Sequence, residues 1–188
     1  LSSWLFRPSS PVDPNAIAVA VGVAAVDACR ALGASDTGLK WPNDLVVADR
    51  KMGGMLAESV VRGDRVEAVV VGIGINVTAV ELPPDVAATA TSLEVAGGRA
   101  DRDELLALMV PEVQRRYGQV VDGDEVGLRD AWRRRLDTLG RRVRLELDDG
   151  AFEGTAVDVD TDGALLVETD GATRRVTVAD VIHLRPTS

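Results

Sequence analysis

The chain is poor in residues that usually carry chemistry. It has one cysteine, one histidine, three tryptophans, two phenylalanines, one tyrosine and only two lysines in 188 residues. Cys29 has no partner for an internal disulfide, which fits a reducing compartment, and the expected location is the cytoplasm. With His183 as the single histidine, an ordinary zinc site is excluded, no Ser-His-Asp or Cys-His set can be assembled, and no protein-held metal is expected. The longest apolar run, Ala16 to Val26, ends at Asp27, short of the roughly 20 residues a membrane span needs. A net charge of −9 disfavours nucleic acid and anionic membranes as partners. The first residue is Leu1 rather than Met and it opens a strand, so the chain is expected to be part of a longer protein whose upstream signals lie out of view.

What is present is an ordinary globular balance, 46% hydrophobic and 27% charged, from which a core can form. After an opening strand ending in Leu5-Phe6-Arg7-Pro8, Asp13 and Pro14 read as the cap and first residue of a helix. That helix is Ala/Val-rich and is expected to run to about Leu32, with Gly33 as its stop. Its small residues would let it pack closely on a sheet. A strand through Gly38 to Trp41 follows, then a hairpin of residues 44–47 and 51–61, then a strand over residues 66–77. The run Val69-Val70-Val71 predicts that this last strand is buried on both faces. Residues 80–100 read as an irregular connection. A second helix is expected from Asp101 or Asp103 to Val120, kinked or restarted at Pro111. A third should span Asp124 to Leu136, with Trp132 facing inward. From Gly140 the pattern changes to five short strands with turns at Asp148-Asp149-Gly150, Asp160 to Gly163 and Asp170-Gly171, which read as a small SH3-like barrel. A domain boundary is expected near residue 138.

Three segments could carry chemistry. Lysine and arginine differ as cations, and among 21 basic residues the two lysines, Lys40 and Lys51, lie close together, which draws attention to their surroundings. Lys40-Trp41-Pro42-Asn43-Asp44-Leu45 sets a cation, a stiff aromatic–proline corner, an amide and a carboxylate between two strands; it reads as a capped polar turn or as a rigid site loop. In Arg50-Lys51-Met52-Gly53-Gly54-Met55-Leu56-Ala57-Glu58, two glycines inside a strand mark a bulge or a close approach to the backbone. Lys51 beside them could hold a phosphate or carboxylate, or be a plain edge lysine. In Val71-Gly72-Ile73-Gly74-Ile75-Asn76-Val77, alternating glycines leave bare backbone on one face, for close helix packing or for a flat ligand. It is no dinucleotide fingerprint, because Val77 stands where a third glycine would be and no helix follows. His183 reads as structural, and Arg133-Arg134-Arg135 and Arg141-Arg142 read as solvated faces.

In this order and spacing the three segments resemble the biotin–protein ligases, as do the opening strand, the Ala/Val helix and the terminal Ile182-His183-Leu184-Arg185. The resemblance implies an α+β fold: a catalytic domain over residues 1–138 with a mixed sheet and helices akin to class II aminoacyl-tRNA synthetases, then an SH3-like barrel over residues 139–188. It implies ATP, biotin and Mg²⁺, with biotinyl-adenylate formed first and biotin then passed to a lysine of the biotin carboxyl carrier domain of an acyl-CoA carboxylase. By their matches, Lys51 would touch the biotin carboxylate and α-phosphate and Asp44 would orient or deprotonate the incoming amine. Lys40, Trp41, Asn43, Gly53, Gly54, Met55, Gly72, Gly74, Asn76 and Arg185 would line the biotin and adenylate site. The family also carries an upstream Ser/Thr-rich strand and a Gly/Arg-rich loop that do not occur in these residues. A homodimer is left open. Two other readings remain: a lipoyl or octanoyl transferase of the same fold, and a non-catalytic carrier-binding protein.

Overall fold

The computed structural model describes residues 1–63, 65–79, 84–148 and 150–184. The first sheet contains β1 (Ser2–Phe6), β2 (Gly38–Lys40), β3 (Asp44–Val47), β4 (Arg50–Arg62) and β5 (Arg65–Ile75), in the order β1-β5-β4-β3-β2. Every ladder in it is antiparallel. The mixed character expected of the sheet is confined to two isolated parallel bridges, Leu39–Leu136 and Lys51–Ala90. Ala48 and Asp49 join β3 to β4 with φ values of 49° and 61°, the left-handed pair that matches the twist of a two-residue hairpin.

Helix α1 (Pro14–Ala31) begins where expected: the Asp13 carboxylate accepts from Asn15 N, and Pro14 occupies a position that needs no intrahelical N–H bond. Leu32 ends it, and Gly33 turns away at φ 110°. By length and composition α1 could cross a membrane. Here Ile17, Val21, Val23 and Val26 are fully buried inside the protein, and Asp27 pairs with Arg116 and Arg135. A methyl group on Gly22 would meet Met55 Cε at 2.7 Å, so small residues do set how closely this helix lies on the sheet.

The connection after β5 contains the short α2 (Pro84–Ala87). Helix α3 (Arg102–Val121) is capped by Asp101, which accepts from Asp103 N and Glu104 N, and turns Leu105, Met109 and Val113 inward. It runs unbroken through Pro111, contrary to the expected restart. Pro111 and Ala107, whose carbonyl loses its partner, are both exposed, so water can take the place of the missing bond. Helix α4 (Glu125–Arg133) stops short of Leu136. The reason lies in competing backbone pairing: Leu39 N donates to Arg135 O and Asp137 N donates to Leu39 O, both at 2.7 Å. Residues 135–137 thus leave the helix to extend the sheet beside β2.

β5 is not buried on both faces. Val69, Val71 and Ile73 are buried on the helix side, whereas Val70, Gly72 and Gly74 alternate with them and stay partly open. The covering helices lie on one side only, so a continuous apolar run here marks one covered face and one bare one.

Over residues 137–140 the chain passes to a second sheet of β6 (Arg142–Leu147), β7 (Gly150–Val159), β8 (Leu165–Thr169), β9 (Ala172–Val176) and β10 (Asp180–His183), in the order β10-β6-β7-β8-β9. Val143, Leu145, Ala156, Leu165 and Val167 form its core. Among the described residues no ladder joins β9 to β10, so the expected barrel is a five-stranded antiparallel sheet that does not close.

Candidate active site

Cross-strand register places the three sequence segments side by side. Lys40 pairs with Asp44, Asp44 with Gly54, and Gly54 with Gly74; in the next row Leu56 pairs with Gly72 and Gly72 with Ser3. Directly paired residues project to the same face. Met55 and Ile73, which alternate with this set, lie on the helix side, so the set lies on the bare face. The glycines of β5 are therefore not spacers for helix packing. A methyl group on Gly72 would find only Leu56 O, at 3.8 Å, and one on Gly74 only Leu1 Cδ1, at 3.8 Å.

At the centre of the face, Lys51 Nζ meets Asp44 Oδ1 at 2.6 Å. A register shift between Leu45 and Val46 accompanies this arrangement. Lys51 is held at its backbone on both sides: its N–H donates to Thr89 O at 2.7 Å, and its carbonyl accepts from Thr91 N at 2.9 Å. The connection that sequence patterns left irregular thus clamps the lysine. Gly53 and Gly54 serve different ends. A methyl group on Gly53 would lie 2.3 Å from Gly74 O, inside the neighbouring strand. On Gly54 it would lie 3.1 Å from Asp44 Oδ1 and 3.3 Å from Lys51 Cε, so this glycine clears space for the ion pair.

The other expected residues divide. Lys40 joins the row. Asn43 donates from Nδ2 to Met55 O at 2.8 Å while Met55 N donates to Asn43 O, which fastens the loop to β4. Asn76 donates from Nδ2 to Thr91 O at 3.1 Å, fastening the clamp around Lys51. In each asparagine one amide N–H is committed, which leaves the second N–H and the side-chain oxygen for a ligand. Met55 lies under the sheet against α1 rather than on the open face. Trp41 also stands apart: it is buried, follows Lys40 into a cis bond with Pro42, and donates from Nε1 to Gly163 O in the second module at 2.9 Å. Arg185 lies outside the described residues.

Sequence reasoning missed the residues that join the modules. Thr138, fully buried, accepts from Trp41 N at 3.0 Å. His183 Nε2 lies 3.2 Å from Thr138 Oγ1, and its Nδ1 lies 3.0 Å from Asp49 Oδ1 in the β3–β4 turn. Burial pushes the His183 pKa below its ordinary value, and the His183 hydrogen bond holds that of Asp49 below the ordinary carboxylate value. No local pattern signals such a joint, because its members come from a turn, a linker and the last strand. Beside it, a cleft of about 660 Å³ runs between residues 40–44 and the second module, walled there by Glu146, Asp148 and Asp180.

The sheet that carries the Lys51–Asp44 pair on its glycine floor, and the small β module joined to it, each fall within a known protein family. Residues 1–76 match the biotin/lipoate A/B protein ligase family, and residues 138–184 match the biotin protein ligase C terminal domain. The chain belongs to the biotin protein ligases. It is 37% identical over 174 residues to the biotin--[acetyl-CoA-carboxylase] ligase of Mycobacterium tuberculosis, an alignment covering 90% of this chain and 62% of that protein. To the bifunctional ligase/repressor BirA of Bacillus spizizenii it is 30% identical over 183 residues, covering 95% of this chain and 56% of that one. It therefore spans little more than half the length of these relatives. The apo biotin protein ligase of Aquifex aeolicus has the same fold, with a TM-score of 0.83 at 24% identity over 97% of this chain and 81% of that one.

Proposed function

We propose that this chain carries the adenylation centre of an ATP-dependent ligase that attaches biotin to a lysine of the carrier domain of an acyl-CoA carboxylase. The observation that carries this reading is the Lys51–Asp44 pair, 2.6 Å apart on a sheet face bared by Gly54, Gly72 and Gly74. A flat ligand can lie on such a face, with its charged end at the pair. The names of the relatives supply the substrate: the M. tuberculosis protein is a biotin--[acetyl-CoA-carboxylase] ligase, and an A. aeolicus structure of this fold was solved in complex with biotin and ATP.

In the first step a biotin carboxylate oxygen attacks the α-phosphorus of ATP and pyrophosphate leaves. Lys51 draws the two anions together and offsets the charge that builds on the phosphoryl oxygens. Binding them means exchanging Asp44 for substrate at Nζ, which frees that carboxylate. In the second step the carrier lysine amine attacks the mixed anhydride carbonyl, Asp44 takes its proton, and AMP leaves. Lys40 adds positive charge at the end of the row, and Asn43 and Asn76 offer side-chain oxygens to the nucleotide.

Mg²⁺ enters this scheme as the ATP complex. Among the described residues, Asp49, Asp137 and His183 form a cluster of metal-ligating type. Arg141 already spans both of its carboxylates at 2.8 Å, so the donor set does not fit a resident ion. We place the reaction in the cytoplasm. Neither step uses the homodimer left open by the sequence.

The test is biotin-dependent ATP–pyrophosphate exchange, followed by mass spectrometry of a carrier domain. A mass gain with biotin and none with lipoate is the expected result. Lipoate transfer would move the chain to the sister activity, and carrier binding without exchange would make it a non-catalytic binder.

A further inference from the structure

We infer that Thr138 and His183 are positioning residues for the Lys51–Asp44 pair, acting through a hydrogen-bond chain that grips the site loop and the hairpin turn at once. This inference rests on the proposed adenylation reaction. The chain runs from Trp41 N to Thr138 Oγ1 at 3.0 Å, from Thr138 Oγ1 to His183 Nε2 at 3.2 Å, and from His183 Nδ1 to Asp49 Oδ1 at 3.0 Å. Its polarity follows from the donors. Trp41 N–H can only donate, so Thr138 Oγ1 accepts there and is free to donate its hydroxyl proton to His183 Nε2. The imidazole is then neutral, with its proton on Nδ1 directed at Asp49.

Each end of the chain stands next to the chemistry. Trp41 precedes Asp44 by three residues, across the corner that ends β2. Asp49 precedes Lys51 by two, in the turn that opens β4. The second module thereby fixes the spacing between the strand that presents the carboxylate and the strand that presents the amine. Thr138 is fully buried, and its one hydroxyl serves both neighbours. Arg141 braces the outer end by reaching Asp49 and Asp137.

Thr138→Val keeps shape and removes the hydroxyl; Thr138→Ser keeps the hydroxyl; His183→Gln alters the middle link without touching Trp41 directly. The measurements are amide hydrogen exchange at Trp41 and the kinetics of biotin-dependent pyrophosphate exchange. In Thr138→Val, Trp41 exchange should rise and kcat fall, each by about tenfold or more, with KM for biotin within about twofold. Thr138→Ser should restore both, and His183→Gln should lower kcat while leaving β5 protected. Wild-type kcat in both Thr138→Val and His183→Gln overturns the inference. So does a uniform rise in exchange across β3, β4 and β5 in both, which would make these residues general supports of the fold. If the wild-type protein shows no biotin-dependent exchange, the functional reading fails, and exchange at Trp41 still decides whether the chain holds the loop.

Discussion

A methyl group on Gly53 would enter the backbone of β5, whereas on Gly54 it would press only on the Lys51–Asp44 pair. Adjacent alanine substitutions should therefore separate fold from chemistry. Gly53→Ala should cost about 3 kcal/mol in urea unfolding through overpacking. Gly54→Ala should change stability by less than about 1 kcal/mol yet slow adenylate formation, since its neighbours are side-chain ends that can move. Lys51 is more than half exposed, so Lys51→Ala should leave the melting temperature unchanged. Pyrophosphate exchange should fall by about 10² to 10³, as expected for loss of a charge aimed at a developing oxyanion. Arginine should not rescue it, because its planar fork places charge elsewhere than a point ammonium does.

His183 gives the same scale a pH dependence. Around it lie Asp49 from the hairpin turn, Asp137 and Arg141 from the linker, and Lys40 from β2. Burial lowers its pKa from 6.5, so below pH 6.5 the unfolded chain takes up a proton that the folded protein resists. This contribution to stability is complete above pH 6.5 and is lost as pH falls through the lower folded value. Asp49, whose pKa is lowered from 3.8, loses its own contribution only at more acid pH. Urea midpoints should drop between pH 7.5 and 5.5 in the wild type and less steeply in His183→Gln. Equal slopes would assign the drop to other groups.

At the scale of elements, one carboxylate ties three of them. Asp27, within apolar α1, accepts from Arg116 of α3 and from Arg135 of the segment after α4. Both arginines are largely buried. Asp27→Asn would leave two buried cations facing a neutral group, and should cost about 3 kcal/mol, read as a lower urea midpoint. Arg135 also supplies the carbonyl that pairs with Leu39, so a displaced α4 end should show as faster amide exchange at Leu39. Sequence periodicity identified both long helices and their aspartate caps, because capping and apolar spacing are local properties. It placed the end of α4 too late, since the event that ends the helix is pairing with a strand almost a hundred residues away.

Considered as a whole molecule, the two modules meet at Trp41. Its indole bond to Gly163 O and its backbone bond to Thr138 make the corner before Asn43 and Asp44 a shared part of both. Trp41→Phe removes the indole donor and part of a buried ring. It should lower stability by about 2 kcal/mol and leave the second sheet intact. Deleting residues 140–188 removes His183 as well, and should reduce kcat for adenylation more than affinity for biotin, whose proposed site is on the first sheet. Calorimetric biotin binding beside pyrophosphate exchange checks this; equal loss of both would mean that the second sheet is needed only for folding.

The sequence by itself determined the strands and helices, the place where the pattern changes near Gly140, and the three segments that meet on the bare sheet face. These are readable because side-chain periodicity, caps, turn glycines and a pair of rare lysines are encoded over a few residues. Only the tertiary structure decided which face of β5 is bare, that Trp41 and Met55 serve the joint and the core, and that Gly53 and Gly54 differ in purpose. It alone brought Asp49, Thr138 and His183 together behind the loop. Register and distant hydrogen bonds depend on how strands and modules align in space, and no window of neighbouring residues contains that information.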